Sequence, residues 1–252
     1  MTAPIARREG RSFGRATHWY VRTDTGEKID GVTSLLKDGK PAPALVGWGI
    51  KSVAEYAVNN WDDLAAMQVA DRLKALKGSP YAERDAAANR GTEVHALAER
   101  LVHGEEVEVP DALAGHVEGY AARLDRTQPA AVLTERVCWN LNYGWAGTFD
   151  LTARFPDGRL LLCDIKTSRS VYGDVAYQLA MYAACTHYLD DDGDAQPMPQ
   201  VDGTAVLHVR ADGTDMYPLR FDEQVLREAR YIAAVARAMR RASDYLGEAV
   251  SA

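Results

Sequence analysis

Long apolar runs are missing from this sequence, and cysteines are few. No stretch approaches the roughly 20 apolar residues that a helix needs to cross a bilayer, so no membrane span is expected. The three cysteines, Cys138, Cys163 and Cys185, are odd in number and far apart. They supply neither a disulfide framework nor a CxxC metal site. The opening MTAPIARREGRS has basic residues with no apolar segment behind them, which does not read as a secretory signal. A cytoplasmic location is therefore expected. Internal repeats, low-complexity tracts and linker-like stretches are also absent, so one domain is expected over 1–252. An excess of positive charge is lacking too: 29 Lys and Arg stand against 36 Asp and Glu, for a net charge of −7. That balance excludes a protein that coats nucleic acid by bulk attraction. It leaves room for an enzyme that holds cations in an acidic site and grips a phosphate backbone locally.

What is present is ordinary globular material, 47% hydrophobic and 26% charged over 252 residues. The basic residues are uneven. Arg7, Arg8, Arg11 and Arg15 crowd one end, and Arg227, Arg230, Arg237, Arg240 and Arg241 punctuate a helical segment near the other. Two readings of both stand side by side, solvated surface and a local grip on phosphate, while the acidic loop around Gly193 reads as a plain exposed loop. Periodicity predicts a hairpin over 18–36 turning at Thr25-Gly26. Helices are predicted over 44–59 and 62–76, stopped by Gly78. Two more are predicted over 79–104, opened by Ser79-Pro80, and over 110–126. Beyond residue 129 the pattern turns to strands over 131–139, 147–155 and 159–166. The consecutive apolar residues Leu160 to Cys163 suit a strand buried on both faces. A helix over 173–189, a hairpin over 204–219 and a helix over 222–246 complete the chain. The expected class is a mixed α/β core over 129–252, preceded by a hairpin and helical part over 1–128.

The chemistry concentrates in Gly147-Thr148-Phe149-Asp150, followed after thirteen residues by Asp164-Ile165-Lys166. Two carboxylates near the ends of adjacent antiparallel strands can reach one divalent cation, and strand alternation sets Asp164 and Lys166 on one face. Mg²⁺ and Mn²⁺ are hard ions that prefer oxygen ligands. An ion there would polarise a phosphodiester and lower the pKa of a bound water, and a neighbouring lysine would stabilise the charge that develops. A lone DxK triplet is weak. Its companions strengthen it: His95 in the helical run Arg90-Gly91-Thr92-Glu93-Val94-His95, Glu135 on the preceding strand, and Gln178 with Tyr182 on one face of the next helix. Glu99 lies one helical turn beyond His95 and is a candidate partner for its imidazole. Tyr143 and Trp145 flank Gly144 just before the glycine motif and are candidates to stack on bases. His116, His187 and His208 have no matching partners and read as structural.

The order RGTxxH, E, GxxD, DxK and QxxxY, over residues 85 to 220, resembles the PD-(D/E)xK nuclease superfamily. It is most similar to its RecB-nuclease-like, Cas4-like branch, with phage-type exonucleases and the mitochondrial genome maintenance exonuclease among its members. The resemblance implies a restriction-endonuclease-like core with N-terminal helical additions, and metal held by His95, Asp150, Asp164 and the main-chain carbonyl of Ile165. It implies that Lys166 is the catalytic lysine and that Gln178 and Tyr182 contact DNA or orient that lysine. Glu135 matches an acidic position without an assigned role. The four cysteines that hold an iron–sulfur cluster in Cas4-type proteins are not matched, so none is expected. The implied activity is a Mg²⁺- or Mn²⁺-dependent DNA exonuclease in recombination, repair or phage DNA metabolism, with a recombination protein as a candidate partner. Helical additions partly cover the cleft in the resembling exonucleases, which points to single-stranded or tailed DNA ends as substrate. The alternatives are an endonuclease on the same core and a catalytically silent DNA-binding or assembly subunit. Intact Asp150, Asp164 and Lys166 speak against the latter.

Overall fold

A computed structural model describes residues 3–12 and 15–250. In chain order the elements are β1 (Ile5–Ser12), β2 (Arg15–Arg22), β3 (Lys28–Gly31), α1 (Val32–Gly39), α2 (Pro43–Asn59), α3 (Trp61–Ala66), α4 (Val69–Val102) and α5 (Ala114–Thr127). They continue with β4 (Ala130–Asn140), β5 (Trp145–Arg154), β6 (Leu160–Lys166), α6 (Val175–Ala183), β7 (His187–Leu189), β8 (Ala195–Pro197), β9 (Gly203–Arg210), β10 (Gly213–Leu219) and α7 (Glu223–Arg241). The chain forms two compact units, one of residues 1–40 with 95–252 and the other of residues 41–94. The strand-rich change at residue 129 is therefore not where the units divide. Both boundaries lie earlier, and the second falls inside α4.

The larger unit is mixed α/β. Its central strands run β10-β9-β6-β5-β4, with β6 and β9 parallel and the other neighbours antiparallel. β7 and β8 extend the sheet beyond β4. β4 pairs along β5 from Trp145 to Arg154. The opposite edge of β5 is shared. β3 takes Trp145 and Ala146 in parallel, and β6 takes Leu151 to Arg154. Between them, residues 147–150 have no strand partner on that edge among the described residues.

Helices α1, α6 and α7 bury Leu35, Leu36, Leu179, Met181, Ala229, Ala233 and Ala236 with Trp145, Phe149, Leu162 and Val206 of the sheet. Small residues three and four apart on α7 keep its packed face flat. Two of the C-terminal arginines are clamps rather than solvated surface. Arg237 donates to Asp30 at 2.7 Å and to the carbonyls of Tyr143 and Gly144. Arg240 reaches Asp30 and Asp38. A second core joins Ile5 and Tyr20 of the β1–β2 pair to Val137, Trp139 and Ala146.

Several expectations are corrected. Residues 32–36 are not strand: Val32, Leu35 and Leu36 have helical spacing and are the buried side of α1. β1 was not foreseen, because its basic sequence has weak strand propensity and its order comes from pairing with β2. The helix over 173–189 ends at Ala183, where pairing of His187 and Tyr188 with β4 draws the chain into β7. The last helix ends at Arg241, in a short 3₁₀ turn.

In the smaller unit, Arg72 donates to the carbonyls of Leu64, Ala65 and Met67, which ties the end of α3 to the first turn of α4. Gly78-Ser79-Pro80 does not break the helix. Pro80 has no N–H for the Leu76 carbonyl, and the Ser79 hydroxyl donates to that carbonyl instead, at 3.0 Å. All three cysteines are free and buried. Among the described residues no helix is long and apolar enough to cross a membrane.

α5 packs on β9 and β10 through glycines. A Cβ on Gly115 would lie 2.3 Å from the Ala211 carbonyl oxygen, and one on Gly119 would lie 2.9 Å from the Gly213 Cα. Those neighbours are backbone and cannot swing aside. Gly115→Ala is expected to destabilise the protein by about 1–3 kcal/mol, the usual range for overpacking. Chemical denaturation monitored by circular dichroism checks this, and a stability equal to wild type would contradict the packing.

Candidate metal centre

The unpaired stretch of β5 edge is where the acidic residues meet. The β5–β6 register, Leu151 with Cys163 and Thr152 with Leu162, carried one rung further sets Asp150 against Asp164. The ladder stops there. The Asp150 carboxylate accepts the Ile165 N–H at 2.7 Å, so Ile165 enters the site through its amide. Across β5, the pairs Thr134–Leu151 and Arg136–Phe149 leave Glu135 facing Asp150.

Glu135 adopts φ +46°, the left-handed region that costs a non-glycine residue roughly 1–2 kcal/mol. Such strain concentrates at functional sites. His95, in the last third of α4, places Nδ1 3.6 Å from the Asp150 carboxylate. One ligand atom each from His95, Glu135 and Asp150 lies within 4.8 Å of the others. Ligands about 2.1 Å from a divalent ion stand about 3 Å apart when adjacent and about 4.2 Å apart when opposite. The three groups therefore need only a small contraction to bind one ion. Two carboxylates and an imidazole suit Mg²⁺ or, with the nitrogen donor, Mn²⁺. The cluster is compatible with a divalent metal.

Asp164 is held differently. It is 2% exposed, its Oδ2 pairs with Lys166 Nζ at 2.5 Å, and its Oδ1 accepts Gln178 Nε2 at 3.0 Å. The resemblance implies Asp164 as the second acidic ligand and assigns Glu135 no role. In the structure Glu135 is the carboxylate that converges with Asp150 and His95, while Asp164 neighbours Lys166 and Gln178. Gln178 Nε2 also lies 3.5 Å from the Tyr182 hydroxyl. Tyr182 is buried against Gly147, where a Cβ would come within 2.3 Å of its ring. The glycine of GxxD is thus required by the tyrosine of QxxxY.

The electrostatics follow from this crowding. Burial, then the charge of Asp150, pushes the Asp164 carboxyl up to about 7 against the pull of Lys166. The Glu135 carboxyl also rises to about 7, from desolvation by surrounding protein and then repulsion by Asp150, Glu99 and Asp164. Glu99 thus acts on the site as charge. The charge of Arg7 of β1, which is exposed, works in the opposite direction on Glu135.

The structure separates the two aromatic candidates from the cluster. Trp145 is 1% exposed and its indole N–H donates to the Met181 carbonyl at 3.1 Å. It is a core residue with no face free for a base, which corrects the stacking expectation. Tyr143 stays half-buried beneath the Arg230 guanidinium, 4.8 Å from its ring centre.

No family model matches this chain, and no curated protein does. Among solved structures, the crystal structure of SSO0001 is similar at 16% identity, over 56% of this chain and 63% of that one, with a TM-score of 0.27. The chain thus spans less than two thirds of that protein, and a likeness of this extent carries no weight for function.

Carboxylates must lose their protons to ligate a metal. With the Glu135 carboxyl near 7, Mn²⁺ affinity is expected to be high at pH 8 and to fall towards pH 6. Glu135→Gln and Asp150→Asn should each weaken binding by about tenfold or more, the scale seen even for outer-shell changes. Titration calorimetry at both pH values checks this. Mn²⁺ affinity untouched by Glu135→Gln would remove the glutamate from the centre.

Proposed function

We propose that the protein is a divalent-metal-dependent deoxyribonuclease of the PD-(D/E)xK type, acting as an exonuclease on single-stranded or tailed DNA ends. The observation that carries this reading is the meeting of His95, Glu135 and Asp150 beside the Asp164–Lys166 pair. A silent binding subunit has no need of a buried carboxylate that costs stability to keep beside a lysine.

His95, Glu135 and Asp150 are the residues that would hold the ion. A divalent cation bound there supplies a polarised phosphate and a more acidic water. The chain's own residues do the remaining work. Asp164 aims the Lys166 ammonium through the 2.5 Å pair. Lys166, 30% exposed at its side chain, can turn from Asp164 towards a phosphate oxygen as charge grows there. Gln178 fixes one oxygen of Asp164 and leaves the other for the lysine. Tyr182, wedged on Gly147, sets the position of Gln178 on α6. The Ile165 N–H holds Asp150 so that its carboxylate stays turned to Glu135 and His95. The net charge of −7 supports local grip of a strand over wrapping of a long duplex.

Lys166→Ala is expected to lower kcat by about a hundredfold or more with little loss of DNA affinity, since its interaction belongs to the transition state. Mn²⁺-dependent degradation of end-labelled linear DNA and equilibrium binding in chelator give the two numbers. A near wild-type rate for the variant would overturn the assignment. Closed single-stranded circles should be spared where linear strands are degraded, and rapid nicking of circles would favour an endonuclease.

A further inference from the structure

A second recess lies on the sheet face that carries Asp164 and Lys166, and the metal centre makes no use of it. In-register neighbours on adjacent strands point to one face. Lys166 pairs with His208 and His208 with Asp215, while Asp164 pairs with Val206 and Val206 with Tyr217. With strands about 4.8 Å apart, Tyr217 stands about 10 Å across the sheet from Asp164. There the segment 169–173, between β6 and α6, closes a cavity of about 530 Å³ with His208, Arg210, Tyr217 and Leu219.

The wall of this cavity is built. Arg210 can only donate, so its contact at 3.0 Å makes His208 Nδ1 the acceptor, and Nε2–H then donates to the Ser168 carbonyl at 2.7 Å. This buried histidine pins the segment that follows Lys166. The Ser168 hydroxyl donates to the Ser170 carbonyl and curls the segment over the recess. Arg210 is neutralised by Asp212 and Asp215. Arg169 pairs with no carboxylate among the described residues and is exposed. Tyr172 and Tyr217 are 67% and 45% exposed at the cavity. One guanidinium without a carboxylate partner shares this lining with two exposed aromatic rings, while Asp215, also in the lining, is held by Arg210 and accepts the Tyr217 hydroxyl at 3.5 Å. That set suits a nucleotide, with a phosphate for the cation and a base for the rings.

We propose that this cavity is a strand-binding subsite, resting on the nuclease reading above, that takes a nucleotide flanking the scissile phosphate. Tyr172 and Tyr217 stack its base without reading which base it is, and Arg169 holds its phosphate. The substrate class is single-stranded nucleic acid, because a paired base has no face free for a tyrosine.

The test is fluorescence anisotropy with labelled dT10 in chelator, on the full chain, with a thermal melt of each variant to confirm folding. Tyr172→Ala combined with Tyr217→Ala should raise Kd about tenfold or more, and the corresponding Phe pair should stay within about twofold of wild type. Arg169→Ala should weaken binding and reduce the salt slope by about 0.7, the value for one phosphate contact on a single strand. An alanine pair that binds as wild type does, a phenylalanine pair as weak as alanine, or no binding of dT10 by the wild type would each overturn the proposal. Because no hydrolysis is read, these outcomes judge the cavity whatever the metal centre does. Failure of Mn²⁺-dependent cleavage would remove the nuclease reading whatever this cavity binds.

Discussion

The divided edge of β5 is the constraint from which the rest of the site follows. A strand interior normally spends its N–H and C=O groups on two neighbours. Here β4 covers one side, but on the other the pairing with β3 stops at Ala146 and the pairing with β6 begins at Leu151. The uncovered stretch contains the glycine and the aspartate of GxxD. Had the β5–β6 ladder continued, Asp150 and Asp164 would face each other as like charges in a directly opposed pair, which is destabilising. Instead Asp150 Oδ2 accepts the Ile165 N–H at 2.7 Å and the same oxygen lies 3.6 Å from His95 Nδ1, with Glu135 alongside. Asp164 is left to Lys166 and Gln178.

The helical layer holds this opening in place. α6 reaches the sheet closely only because Gly147 has no side chain where the Tyr182 ring lies. α7 is fastened at its far end by Arg237, which gathers Asp30 and the carbonyls of the β4–β5 turn. The same arginine thereby ties β3 and the start of β5 together, the point at which the edge divides. Two buried or crowded carboxyls near pH 7 are the electrostatic cost of the arrangement. A cation would relieve both, which is the sense in which the site is prepared for one.

Much of this was legible in one dimension. Apolar runs and turn residues located β4, β5, β6, β9 and β10 to within a residue or two, because buried strands bounded by Pro-Asp-Gly or Ala-Asp-Gly have few other readings. Helical spacing placed Gln178 and Tyr182 on one face. Short elements were not legible. β1, β7 and β8 owe their order to partners distant in sequence, and Val32 to Leu36 fits a strand or a helix equally until the sheet shows which side is buried.

By itself the sequence determined the residue types of the site, their order, and the pairing of a carboxylate with a lysine two positions on, since strand alternation is a property of the backbone. Only the tertiary structure decided which carboxylate converges with His95. That depended on Glu135 entering the left-handed region opposite Asp150, which no local pattern announces for a glutamate. It also decided that Trp145 is core and Arg237 a clamp, because burial and ion pairing are settled by what packs alongside and not by the residue alone. The role of Gly147 belongs to both. Its identity is written in the chain, and its reason, the ring of Tyr182 lying 35 residues further along, exists only once α6 has folded back over the sheet.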